Sequence, residues 1–218
     1  MSNYTTIVFD LDGTLSNSGK GITKSVQYAI AKMGIEEDNL DNLKHFVGPP
    51  MVAQYMKTYD MTLEEAQETL KYYRERYTPI GLYETKIYPG VKELLSELKD
   101  EGYTLAVATS KPQEMAEEVL RYLEIFEYFD CIVGAQLHGP RQSKKKVLEF
   151  LFEKLGGVKL DEVLMVGDTF YDIQGANEVG IDSVGVSYGY GVVSEMKEAG
   201  AKAIVADVDE LRTFIKGN

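Results

Sequence analysis

Asp10 and Asp12 stand one residue apart directly after the apolar run Ile7-Val8-Phe9, and Asp168 and Asp172 follow the apolar run Val163-Leu164-Met165-Val166. Carboxylates placed like this can share a divalent cation through their oxygens, or they can attack a substrate and move its protons. Alternate residues of an extended chain face the same way, so Asp10 and Asp12 start on one side, and Gly13 permits a sharp turn before Thr14. The plainer alternative for this pair is a capping Asp beside an Asp-Gly turn. A third polar group, Thr109-Ser110-Lys111, follows the run ending at Ala108. Packed together, the four acids would raise one another's pKa values by repulsion and desolvation, and a divalent cation resolves that conflict. Mg²⁺ fits the donor set, because it takes oxygen ligands and commonly shares them with a substrate phosphate.

A carboxylate can also attack phosphorus and form an aspartyl phosphate that water later hydrolyses. Asp10 would be the nucleophile. The charge on the transferring oxygens would need Mg²⁺, a lysine and Thr109 or Ser110 to neutralise it. Asp12 could protonate the leaving alkoxide and then deprotonate the attacking water. Spacing alone leaves open whether Asp12 binds metal through its side chain or turns that side chain to proton transfer.

The positions of these groups follow from the elements around them. A short run of β-branched and aromatic residues before Asp10 reads as a buried strand. From Lys20 to Met33 the apolar residues Ile22, Val26, Ile30 and Met33 recur at helical spacing, and helices are also expected over Asp38–His45, Met51–Tyr59 and Thr62–Tyr77. The last opens on a capping box, Thr62 with Glu65, and carries the stripe Leu63, Ala66, Leu70 and Tyr73. No strand is expected between Leu15 and Tyr83. Phe46-Val47-Gly48-Pro49-Pro50 interrupts this helical block, since two prolines and a glycine cannot continue a helix; on the residues alone it is an ordinary rigid connector.

After Ile87 strands and helices alternate to the end of the chain, with strands expected at 104–108, 129–133, 163–166, 183–186 and 203–205. That alternation predicts an α/β fold, a Rossmann-like doubly wound parallel sheet covered on both faces. Ligands of such sheets bind past the carboxyl ends of the strands, which is where Asp10, Asp12, Thr109, Ser110, Asp168 and Asp172 fall.

Composition bounds the partners. Thirty-five acidic residues against 23 basic give a net charge of −12, which argues against a nucleic-acid backbone or an anionic membrane surface. The single cysteine, Cys131, excludes an intrachain disulfide and a cysteine-based zinc site, and its apolar surroundings fit a strand position. No apolar stretch approaches a membrane span, and a cytoplasmic protein is expected. His45 and His138 are not required by the chemistry above.

The three motifs Asp10-Leu11-Asp12-Gly13-Thr14-Leu15, Thr109-Ser110-Lys111-Pro112 and Gly167-Asp168-Thr169-Phe170-Tyr171-Asp172, in this order and strand context, make the chain resemble the haloacid dehalogenase-like hydrolase superfamily, in its phosphoglycolate phosphatase-like branch. The resemblance implies that Asp10 is the nucleophile, that Asp12 is the acid-base whose backbone carbonyl also reaches Mg²⁺, and that Ser110 or Thr109 binds phosphate. It also implies that Asp168 is a metal ligand with Asp172 supporting it. The family's further lysine has three candidates in Lys144-Lys145-Lys146; Lys144 is chosen because it enters the following helix, and at least two of the three form a solvated basic face. Lys111 is a rival.

By the same resemblance, residues 16–86 form an all-helical cap inserted into a core of residues 1–15 and 87–218. The cap opens and closes over substrate, and Gly48, Pro49 and Pro50 form its specificity loop. Asn17 stands where relatives often carry Asp. The implied activity is a Mg²⁺-dependent phosphomonoester hydrolase acting on a small phosphorylated metabolite, as a monomer or homodimer. A 5'-nucleotidase, a pyrophosphatase and a β-phosphoglucomutase-like mutase are the alternatives, and a non-catalytic phosphate-binding protein is the alternative of a different class. A dehalogenase would lack Asp12.

Overall fold

In the computed structural model, residues 3–136 and 139–217 are described; His138 lies outside them. The first strand, β1 (Thr6–Phe9), is buried along its whole length, as a central strand covered on both faces must be. After it come β2 (Ser16–Asn17), α1 (Gly19–Lys32), α2 (Met51–Tyr59), α3 (Leu63–Tyr77) and β3 (Lys86–Ile87). The rest of the chain alternates: α4 (Val91–Asp100), β4 (Thr104–Pro112), α5 (Gln113–Tyr122), β5 (Cys131–Ala135), α6 (Lys144–Lys154), β6 (Val163–Gly167), α7 (Phe170–Val179), β7 (Asp182–Val186), α8 (Val193–Glu198), β8 (Ala203–Val205) and α9 (Val208–Lys216).

Six parallel strands form one sheet in the order β5-β4-β1-β6-β7-β8. The chain leaves β1 for β4 and β5 on one side and returns to β6, β7 and β8 on the other, so the winding reverses at β1. A crevice at such a reversal is the usual ligand site of an α/β sheet. Successive side chains of β1 serve opposite layers. Ile7 and Phe9 pack with α4, α5 and α9 through Leu94, Leu98, Leu120 and Leu211. Val8 packs with α6 and α7 through Val147, Leu151 and Ala176.

Between Leu15 and Tyr83 the expectation of no strand is corrected by β2, which pairs antiparallel with β3. Two residues are too few to carry an alternation pattern, and the pairing joins positions some 70 apart in the chain. The expected helix at 38–45 is a 3₁₀ turn over Leu40–Phe46 started by the Asn39 side chain. Helix α3 keeps its capping box, Thr62 with Glu65. Its stripe departs from expectation at Leu63, which is 54% exposed, while Ala66 and Tyr73 are buried. Strand β4 runs through Ser110 and Lys111 to Pro112 instead of stopping at Ala108, with a register irregularity against β5.

Candidate active site

Past β1 the chain turns at Gly13, whose φ of +92° suits glycine, and a Cβ there would lie 2.1 Å from an Asp168 oxygen. The turn therefore brings the first motif against the end of β6. Asp10 is 4% exposed and Asp168 is fully buried. Oxygens of Asp10, Asp168 and Asp172 lie within 4.8 Å of one another. Asp12 is not part of that group.

Lys144 opens α6 behind the capping residue Ser143. Its ammonium donates to Asp10 Oδ1 at 2.8 Å and to the Ala108 carbonyl at 2.8 Å, and it lies 2.7 Å from Asp172 Oδ1. Three acceptors match its three protons. Lys145 is only half-buried, and Lys146 is exposed and paired with Glu149. Asp172 spends its other oxygen on Thr169, accepting from the backbone N–H at 3.0 Å and from the hydroxyl at 2.8 Å. Asp168 accepts from the Thr14 hydroxyl at 3.3 Å and from the Tyr190 N–H at 2.8 Å.

Three buried carboxylates against one ammonium leave two negative charges uncompensated. Burial pushes the Asp10 carboxyl up to about 6 against the pull of Lys144, and burial with Asp172 and Asp10 nearby holds Asp168 well above the usual range. A divalent cation brings the missing charge, and an all-oxygen donor set suits Mg²⁺. The residues present fit that ion.

Asp12 faces a different partner. Its Oδ2 lies 2.8 Å from the Lys111 ammonium, while its Oδ1 is buried and has no hydrogen-bond partner. Lys111 in turn donates to the Tyr77 hydroxyl at 2.6 Å. Burial alone would lower the Lys111 pKa, but the Asp12 carboxylate and the Tyr77 oxygen outweigh it and raise that pKa. Tyr77 stacks on Tyr73, ring centroids 4.9 Å apart, and both come from α3.

A cleft of about 500 Å³ opens beside this second pair. Asp12, Ser110 and Lys111 line it from the sheet side, and Gly48, Pro49, Pro50, Tyr73 and Tyr77 line it from the helical segment. Thr109 is buried and away from the cleft, its hydroxyl oxygen accepting from the Lys111 N–H at 3.2 Å. Gly48 has a φ of +102°, and a Cβ there would come within 2.9 Å of Thr169 Cγ2, so the loop meets the last motif directly. A larger hollow of about 630 Å³, bounded by Lys24, Tyr28 and Arg76, shares no lining residue with the cleft. Tyr77 and Tyr190 were not singled out in sequence as site residues. The signal for Tyr77 was its position one helical turn beyond Tyr73 on the stripe. His45 is exposed, near the Thr58 hydroxyl, and away from these groups.

The comparisons agree with this geometry. A family model for haloacid dehalogenase-like hydrolases matches residues 7–186. A protein of Pseudomonas aeruginosa named 5'-nucleotidase is 39% identical over 215 residues, covering 99% of this chain and 97% of the relative. A Mycobacterium tuberculosis protein named tyrosine-protein kinase PtkA is 36% identical over 208 residues, covering 94% and 70%. The crystal structure of a predicted phosphatase from Clostridium acetobutylicum, 42% identical, superposes with a TM-score of 0.95 over 99% of both chains. No helix among the described residues is long and apolar enough to cross a membrane. With its family motifs on the sheet rim and its matches running nearly end to end, the chain belongs to the haloacid dehalogenase-like hydrolases and is a phosphatase of that family.

Proposed function

We propose that the chain is a Mg²⁺-dependent phosphomonoester hydrolase that works through an aspartyl phosphate on a small phosphorylated metabolite. The observation that carries this is the division of labour between the two aspartates of the first motif. Asp10 is clamped among Lys144 and two further acids, whereas Asp12 keeps one buried oxygen without a partner at the edge of the cleft.

In the first half-reaction an Asp10 oxygen bonds to phosphorus, the bond from phosphorus to the ester oxygen breaks, and Asp12 supplies the proton that the departing alkoxide takes up. In the second, water attacks the aspartyl phosphate, Asp12 takes the water's proton, and inorganic phosphate leaves with Asp10 restored. Ser110 binds the transferring oxygens from the cleft, Lys144 lends its positive charge to them from beside Asp10, and Thr109 supports the stretch by accepting from the Lys111 N–H. Asp10, Asp168 and the Asp12 backbone, supported by Asp172, would hold Mg²⁺, which supplies positive charge to the phosphate when bound. Residues 16–86 form the cap over a core of residues 1–15 and 87–218, the β2–β3 ribbon is the hinge between them, and Gly48, Pro49 and Pro50 contact the substrate body.

The test is phosphate release from a panel of phosphoglycolate, nucleoside monophosphates, sugar phosphates and pyrophosphate, with Mg²⁺ or EDTA, for wild type and Asp10→Asn. Release that needs Mg²⁺ and falls at least about 10³-fold in the variant supports the mechanism. Undiminished release by the variant overturns Asp10 as nucleophile. The kinase named among the relatives also moves a phosphoryl group, and an added arm with ATP and a tyrosine peptide distinguishes that acceptor from water. Isomerisation of a sugar phosphate without release would point to the mutase.

A further inference from the structure

Outside the clamp around Lys144, a second chain of buried polar contacts runs from the helical segment into the first motif. Tyr77 is 2% exposed, and its hydroxyl accepts from Lys111 at 2.6 Å; Lys111 holds Asp12 Oδ2 at 2.8 Å; Asp12 Oδ1 is left unclaimed. The Tyr73 ring, stacked on Tyr77 at 15°, fixes the direction from which the hydroxyl arrives. Lys111 has a long, flexible stem, and without a second anchor its ammonium could approach either carboxylate oxygen or leave for solvent. In the structure Lys111 takes one Asp12 oxygen and the other is left without a partner.

Resting on the phosphatase mechanism above, we propose that Tyr77 is a positioning residue supplied by the cap. Its hydroxyl anchors Lys111, Lys111 fixes Asp12, and the proton-transfer group is therefore set for the leaving-group oxygen only when the cap is seated on the core. The contact of Gly48 with Thr169 belongs to the same seated arrangement. The position of the cap and the readiness of Asp12 are one event, so an ester that does not let the cap seat would be turned over poorly even when its phosphate binds.

The variant Tyr77→Phe keeps the ring and its stack and removes only the hydroxyl. The measurement is kcat/KM, with Mg²⁺, across phosphate esters whose leaving groups run from acidic nitrophenols to simple alcohols. This ratio reports the steps through leaving-group departure, and only a poor leaving group needs the proton. The expected result is a loss of about tenfold or more for alkyl phosphates, a fraction of the 10² to 10⁴ that general acid catalysis contributes, with the dinitrophenyl ester within about twofold of wild type. Hydrogen exchange of the α3 amides in the Mg²⁺-free protein provides a readout independent of turnover, and faster exchange near residues 70–77 is expected in the variant. A second variant, Lys111→Met, removes the cation instead and should steepen the same dependence on the leaving group.

An equal loss across all esters in both variants would assign Tyr77 to packing or binding and overturn the proposal. An unchanged dependence would overturn it too. If wild type releases phosphate from none of the esters, the phosphatase mechanism itself falls, and the positioning role falls with it.

Discussion

Two lysine–carboxylate pairs sit on the same rim and differ in where their parts come from. Lys144, Asp10 and Asp172 are all carried by the sheet and the helices packed on it, and every proton of the ammonium is spent inside that frame. Lys111 and Asp12 also belong to the sheet side, but the second anchor of Lys111 arrives on α3, from the inserted helices. The first pair is a clamp built wholly from the sheet and the helices packed on it. The second is finished by a side chain from α3, between the two strands of the β2–β3 ribbon in sequence.

Removing the cation from each pair is the strongest way to test that contrast. Lys144→Met leaves three buried acids with no counter-charge, so without Mg²⁺ it should lose about 3 kcal/mol of unfolding free energy in a denaturant titration, along with its activity. Lys111→Met leaves one such acid beside an open cleft and should lose clearly less in the same titration. Equal losses would erase the distinction between a clamp sealed in the core and a pair lining an open cleft. A smaller effect is expected from Gly48→Ala, where φ is +102° and Thr169 blocks the added methyl. The strain should cost about 1 kcal/mol in a melting experiment, and KM should rise more than kcat falls. An unchanged KM would detach the loop from substrate. Smallest of all, Lys146→Ala should stay within about 0.5 kcal/mol of wild type with normal turnover, because Lys146 is an exposed side chain paired only with Glu149.

The residues legible in sequence were those whose type conflicts with their surroundings. Asp10 and Asp168 end apolar strands, so the carboxyl ends of β1 and β6 could be found without coordinates, and so could the doubly wound order that brings them together. Lys144 was separable from its two neighbours because helix entry and the buried stripe starting at Val147 set its direction. What escaped depends on approach through space. Tyr77 looks like one more apolar residue on a helix face, and nothing in its neighbours announces a lysine 34 positions later. The β2–β3 ribbon is too short for any period to mark it. The two directions of the Asp12 carboxylate were left open by spacing, because they are decided by Lys111 on one side and by the lack of a partner on the other.

Tyr190 adds a last consequence. Its N–H holds Asp168, while its hydroxyl accepts from the Gly19 N–H at 2.8 Å and donates to Asn17 Oδ1 at 2.5 Å. Asn17 belongs to the ribbon and Gly19 begins α1, so one side chain ties the acidic rim to the base of the inserted helices. A carboxylate at position 17 would accept that phenol equally well, but it would add a further anion to a neighbourhood that already holds more negative charge than its lysines balance. The amide takes the same hydrogen bond while adding no net charge to that rim, so the tie between ribbon and rim is made without deepening its negative field.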